Sequence, residues 1–116
     1  MPPYLSMGTD DGTVIKATAV SFATTTATGQ IASVTGSYIR VYKLFLTVAT
    51  TMTLTFEDGT TALSGAIDVT AGTPFVLPMD GNPWFTTSAG NPFTIVSGTS
   101  GQVSGVLYYT ASPWAG

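Results

Sequence analysis

Hydrophobic and polar residues alternate with a period of two along much of the chain, most clearly from Met52 to Glu57. Met52, Leu54 and Phe56 point one way, and Thr53, Thr55 and Glu57 the other, which is the pattern of a strand with one buried face. Asp58-Gly59 follows, a pair that tolerates the positive φ of a tight hairpin. The pattern predicts a two-residue hairpin loop at Asp58-Gly59, with Leu63, Ala66, Ile67 and Val69 on the returning strand. Upstream, Tyr38 to Ala49 is long enough to cross a small domain, but its alternation is blurred. Arg40 and Lys43 fall on opposite faces, and Leu44, Phe45 and Leu46 are consecutive. A central strand covered on both faces reads that way.

Shorter strands are predicted around it: Val14 to Phe22, Gln30 to Val34, Thr73 to Leu77, Trp84 to Thr86, Pro92 to Ser97 and Val103 to Thr110. In Val14 to Phe22, Val14, Lys16, Thr18, Val20 and Phe22 share one side. Pro74 donates no ladder hydrogen bond and suits an edge or first position. The intervening stretches carry turn residues: Thr35-Gly36-Ser37, Thr70-Ala71-Gly72, Pro78 to Pro83, Ser88 to Asn91 and Gly98 to Gly101. Ala23 to Gly29 reads as a Thr-rich loop. About eight strands at this spacing, with no helical pattern, predict an all-β, single-domain, jelly-roll-like antiparallel β-sandwich. Met1 to Gly12 holds two prolines and two glycines without periodicity. Residues 1–12 are therefore expected to form an extended N-terminal arm, and residues 13–116 the sandwich.

Composition sharpens this picture. The chain has 116 residues, enough for one domain with a sizeable core. Charged residues make up 8% of it, far below the usual ~25%. A free β protein with so few charges risks edge-to-edge association, so part of its surface is expected to be covered. Net charge is −3 with three basic residues, so no basic patch exists for phosphate neutralisation and nucleic acid is not an expected partner. No basic segment followed by an apolar one marks a signal peptide, and no apolar run reaches the ~20 residues of a bilayer span. No membrane partner is expected.

Candidate chemistry is sparse. The sequence has no His and no Cys, hence no imidazole base, thiolate nucleophile or sulfur-ligated metal. Lys16 and Lys43 sit in strand patterns and read as solvated side chains. The carboxylates Asp10-Asp11, Glu57-Asp58, Asp68 and Asp80 are candidates for a glycosidase pair. Asp10-Asp11-Gly12, Asp58-Gly59 and Asp80-Gly81 are also turn formers, and turn chemistry accounts for them. Thr9-Asp10-Asp11 offers oxygen ligands for calcium but matches no known loop spacing. Gly98-Thr99-Ser100-Gly101 lacks the Lys and helix of a phosphate loop. No catalytic, metal or cofactor residues are assigned, and no enzymatic activity is expected.

Aromatics and the arm are the remaining candidates. Trp84, Phe85, Tyr108 and Tyr109 would form a sugar-stacking platform if exposed in one plane, as in a carbohydrate- or receptor-binding module of a phage fibre or tail. Otherwise they cap the core. Pro2, Pro3, Tyr4, Leu5 and Met7 make the arm apolar enough to clasp a neighbouring subunit. Trp84, Phe85 and Trp114 complete the candidate interaction residues.

The run IRVYKLFLTVA, then MTLTFEDGTTALSGAI, FVLPMDGNPWFTTSAGNPFTIV and the closing GQVSGVLYY resembles the capsid cement or head-decoration proteins of tailed bacteriophages. The resemblance is one of pattern and covers residues 38 to 110. It implies a jelly roll that sits as a homotrimer on the outer capsid surface of a virion assembled in the host cytoplasm. The partner it implies is the major capsid protein, bound without a cofactor.

Overall fold

The period-two segments become strands. The computed structural model describes residues 15–25, 28–32 and 35–113, and the fold below refers to those. They form β1 (Lys16–Phe22), β2 (Thr28–Ile31), β3 (Tyr38–Val48), β4 (Met52–Asp58), β5 (Thr61–Ala62), β6 (Ile67–Val69), β7 (Phe75–Leu77), β8 (Phe85–Thr86), β9 (Phe93–Ser97) and β10 (Val103–Ser112). No helix occurs among the described residues. The strands build two antiparallel sheets packed as a β-sandwich. The first runs β1-β10-β3-β7, with β8 also paired to β3; the second runs β2-β9-β4-β5, with β6 also paired to β4.

Alternation decides which side chains enter the core. From the first sheet, Val20, Ile39, Val41, Leu44, Leu46 and Leu107 point inward; from the second, Leu54, Phe56, Phe93 and Ile95 do so. Phe56 is fully buried, and its ring stacks on Phe85 at 4.9 Å, Phe75 at 6.0 Å and Phe93 at 6.1 Å. Phe75 and Phe85 come from the first sheet, Phe56 and Phe93 from the second, so this cluster bridges the sandwich. Offset ring pairs of this kind add to plain area burial.

The blurred pattern of β3 has a different cause from the one its sequence indicates. Lys43 pairs with Tyr108 and Val41 with Tyr109, which leaves Tyr42 as an extra residue, a β-bulge. The bulge shifts the phase. Ile39 and Val41 point inward before it, Leu44, Leu46 and Val48 after it. Arg40, Lys43 and Phe45 therefore share the outer face, which is covered at the Arg40 end, where Arg40, Thr110 and Ser112 are buried, and open at Phe45.

The hairpin is present, shifted by one residue. Asp58 pairs with Thr61, so the loop is Gly59-Thr60, with Gly59 at φ 63°. The returning strand breaks after Ala62, where Leu63 N donates to Phe56 O at 2.8 Å and Phe56 N donates to Ser64 Oγ at 3.1 Å. It resumes as β6. β2 begins at Thr28, inside the stretch read as a loop, and carries an irregularity between Gly29 and Ile31.

Candidate functional site

Of the residues singled out from sequence, Pro2, Pro3, Tyr4, Leu5, Met7 and Trp114 lie outside the described residues, as do Asp10 and Asp11. Trp84 and Phe85 are adjacent in sequence and part company in space. Phe85 pairs with Val41 and points into the core, stacked on Phe56. It is therefore a packing residue and is corrected from its expected place in a contact surface; strand alternation sends it opposite to Trp84. Trp84 stays exposed, with its Nε1 donating to Pro78 O at 2.7 Å and its backbone N to Val41 O at 2.7 Å. Tyr108 and Tyr109 separate in the same way. Tyr109 faces inward opposite Val41, and Tyr108 faces outward opposite Lys43. Four coplanar exposed rings are thus not formed.

The outer face of the first sheet brings together residues that the sequence does not group. Cross-strand register aligns Ala19 on β1, Val106 on β10, Phe45 on β3 and Val76 on β7 in one row. The next row holds Ala17, Tyr108 and Lys43, with Lys43 Nζ 5.4 Å from the Tyr108 ring centre. The exposed large hydrophobics of the described residues are Phe45 (38%), Val76 (47%), Met79 (44%) and Trp84 (41%). Phe45 and Val76 are a cross-strand pair, and Met79 and Trp84 lie on the connection between β7 and β8, the two short strands paired to β3. Exposed large apolar side chains paired across strands mark a contact surface more often than scattered ones do.

Charges divide between the two faces. Arg40 and Lys43 lie on the outer face of the first sheet. Arg40 is buried, and its guanidinium donates to Ser112 Oγ at 2.8 Å. On the second sheet, Glu57 pairs with Thr94 and Asp68 with Thr53, which puts both acids on its outer face. Glu57 lies four positions beyond Thr53 on β4, so their backbones are ~13 Å apart along the sheet.

Asp58 has a different role. Its carboxylate accepts from Ser88 N at 3.0 Å, Ser88 Oγ at 2.8 Å and Asn91 Nδ2 at 2.9 Å. Partial burial pushes its carboxyl up, but these bonds from Asn91 and Ser88 outweigh burial and hold it below its ordinary value. An open depression lined by Asp58, Gly59, Thr60, Asn91 and Pro92 lies beside it. The carboxylate is spent on pinning the β8–β9 connection to the β4–β5 turn, alongside Gly59 N donating to Pro92 O at 2.9 Å. Asp80 accepts from Asn82 N at 3.0 Å and shapes its own turn. Among the described residues, no group of three or more His, Cys, Asp or Glu side chains could hold a metal ion. No helix of the described residues is long and apolar enough to cross a membrane.

No protein-family model matches the chain, and no curated protein matches it. A solved structure of Bacillus endospore appendages, described as a family of disulfide-linked pili, is similar over 94% of this chain and 96% of that one. Its identity is 22% and its TM-score 0.44.

Proposed function

We propose that this chain is a structural protein that acts by surface contact, without catalysis or cofactor, as a decoration protein on the outer surface of a phage capsid. The observation that carries the reading is the exposed cross-strand pair Phe45 and Val76 on the outer face of the first sheet, with Met79 and Trp84 exposed on the neighbouring β7–β8 connection. A protein whose task is adhesion needs a stiff scaffold and a wide, weakly charged face, and this chain has both. The sequence resemblance supplies the specific form: a homotrimer on the major capsid protein, located in the virion. The connectivity supports reading the sandwich as a jelly roll. Successive strands alternate between sheets from β1 to β4 and again from β8 to β10, and the first and last strands pair in one sheet. The sugar-platform reading draws less support, because Phe85 and Tyr109 point inward.

The test uses particles from the source of this sequence. The expected result is that the intact protein co-sediments with capsids, and that Phe45→Glu combined with Val76→Glu lowers occupancy at limiting concentration while leaving the circular dichroism unchanged. Deletion of residues 1–12 examines the arm in the same assay, with reduced occupancy expected. Absence of the protein from purified particles, together with failure to bind them when added, refutes the proposal.

A further inference from the structure

We propose that Asp80-Gly81, on the connection between β7 and β8, is a site of spontaneous isoaspartate formation, and that the fold protects Asp58-Gly59 from the same chemistry. Both pairs lie among the described residues; a third, Asp11-Gly12, lies outside them. The reaction is an attack by the glycine amide nitrogen on the aspartate side-chain carbon Cγ. The N–Cγ bond forms, the Cγ–OH bond of the neutral carboxyl breaks, and the hydroxyl leaves as water with the amide proton. Water then opens the five-membered succinimide. Opening at Cγ restores aspartate, and opening at the α-carbonyl carbon leaves the chain running through Cβ. The net change is an isomerisation that needs no oxidant, metal or cofactor. Glycine favours the attack because it has no side chain to crowd its nitrogen.

The two described pairs differ in what holds them. Asp80 and Gly81 are both exposed, and no strand runs between Leu77 and Phe85. Gly81 N donates to no described backbone carbonyl, and nothing lies within 4 Å of where its Cβ would be. Asn82 N donates to Asp80 Oδ1 at 3.0 Å, an Asx turn that folds the carboxyl back over the Gly81 peptide. Ring closure there breaks no ladder. At Asp58 both reactants are engaged: the carboxylate accepts from Ser88 N, Ser88 Oγ and Asn91 Nδ2, and Gly59 N donates to Pro92 O at 2.9 Å. The hairpin must open locally before these groups can react. One hydrogen bond to a carboxylate that has to break first slows the reaction by about tenfold or more. The product matters for its neighbours. Isoaspartate lengthens the connection by one C–C bond, ~1.5 Å, inside a loop that Trp84 Nε1 closes on Pro78 O. Met79 and Trp84, the exposed apolar residues of that loop, are displaced with it. The chemistry goes beyond the proposed function; only its effect on particle binding rests on that reading.

The protected pair serves as the internal control. The full chain is held for several weeks in warm neutral buffer, sampled, digested and mapped by mass spectrometry, each Asp-Gly pair being read as its own peptide. Isoaspartate is scored by resistance to cleavage before the aspartate and by methyl transfer from S-adenosylmethionine with an isoaspartyl methyltransferase. The expected result is conversion at Asp80 about tenfold or more faster than at Asp58. In guanidinium chloride the contrast is expected to vanish, and Asn91→Ala is expected to speed conversion at Asp58 while leaving Asp80 unchanged. Equal rates at the two pairs in the folded protein overturn the inference. A contrast that persists in denaturant does so too, because it then belongs to the flanking sequence and not to the fold. Should Asn91→Ala fail to fold, the wild-type comparison decides alone. Converted protein is expected to occupy fewer sites on particles than fresh protein; equal occupancy overturns the effect on binding. A protein that converts at Asp80 but never binds particles sinks the proposed function and leaves this site standing, and one that binds particles while Asp80 stays intact does the reverse.

Discussion

A single methyl group at Gly105 should loosen the centre of the first sheet. Gly105 lies on β10, opposite Val20 of β1 and Leu46 of β3. A Cβ there would collide with the Phe45 carbonyl oxygen and come within 2.9 Å of the Leu46 Cα. Carbon atoms rest at ~3.5–4.0 Å, so β10 must retreat from β3 by well over 0.5 Å, and both obstacles are backbone. Two or three ladder hydrogen bonds then stretch, at about 1 kcal/mol each, and strain adds ~1–3 kcal/mol. Replacing Gly in a strand otherwise gains ~0.5–1 kcal/mol from unfolded-state entropy, too little to offset this. Gly105→Ala is therefore expected to cost about 3–5 kcal/mol, a large share of the ~5–15 kcal/mol that holds a small domain together. Gly98→Ala is the control. Its Cβ would meet Thr53 Oγ1, the tip of a side chain that can rotate away, so its cost should stay under ~1 kcal/mol. With an m-value of ~1–3 kcal/mol/M, urea denaturation should show the Gly105 midpoint lowered by about 2 M and the Gly98 midpoint nearly unmoved. A Gly105→Ala midpoint within about 0.3 M of wild type would refute the reasoning.

Other perturbations follow from the same contacts. Phe56→Ala empties the ring cluster between the sheets and should cost about 3–5 kcal/mol, whereas Phe56→Leu should cost less than half of that; equal losses in urea would mean the rings do not bridge the sheets. Gly59→Val forces a β-branched residue to φ 63° and should destabilise the hairpin by ~1 kcal/mol or more, read as a lowered melting temperature. The carboxyl of Asp58 is held low in the folded protein, so the unfolded chain takes up its proton first as pH falls. Its stabilisation is present above the unfolded value of ~4 and is lost as pH drops through the folded value. Asp58→Asn should therefore be less stable than wild type at pH 7, and the gap should close below pH ~4; a gap that persists at pH 2 would remove Asp58 as the cause.

The alternation of β1 and β4 was legible because each strand keeps one phase from end to end. β3 does not, and no local cue marks where its phase changes: Tyr42 is as good a strand residue as its neighbours. Trp84-Phe85 shows a second limit. Alternation says that the two part ways but not which one goes inward, and the answer depends on Val41 and Phe56, distant in sequence. Gly105 lies inside a predicted strand, and no local feature tells that its backbone meets that of β3 there. The candidate surface was hidden for the same reason. Ala19, Phe45, Val76 and Val106 become neighbours only through register, and register is a tertiary property. Asp58, read as the first residue of the hairpin loop, is the last residue of β4, and its partners Ser88 and Asn91 lie thirty residues and more away.

The bulge at Tyr42 allows the phase argument to be tested by deletion. Removing Tyr42 leaves Ile39, Arg40, Val41, Lys43, Leu44, Phe45 and Leu46 in strict alternation, with Ile39, Val41, Leu44 and Leu46 still inward and Arg40, Lys43 and Phe45 still outward. No buried side chain changes face, so the loss should be limited to local hydrogen bonds and to pairing with β8, ~1–2 kcal/mol. Removing Phe45 instead preserves the bulge and reverses everything after it. Leu46 and Val48, both buried, would turn to solvent, at ~1.5–3 kcal/mol each. That sum approaches the whole stability of a small domain. The Tyr42 deletion should therefore give a dispersed amide spectrum and a cooperative melt, and the Phe45 deletion should give neither. The chain has one route of escape. If the bulge can slide toward the deletion, Leu46 and Val48 stay inward, and the two variants become alike. Equal, native-like melts for both would show that β10 and β7 do not pin the bulge at Tyr42. The outward placement of Lys43 and Phe45, on which the contact surface depends, would then be a matter of packing rather than of a fixed register.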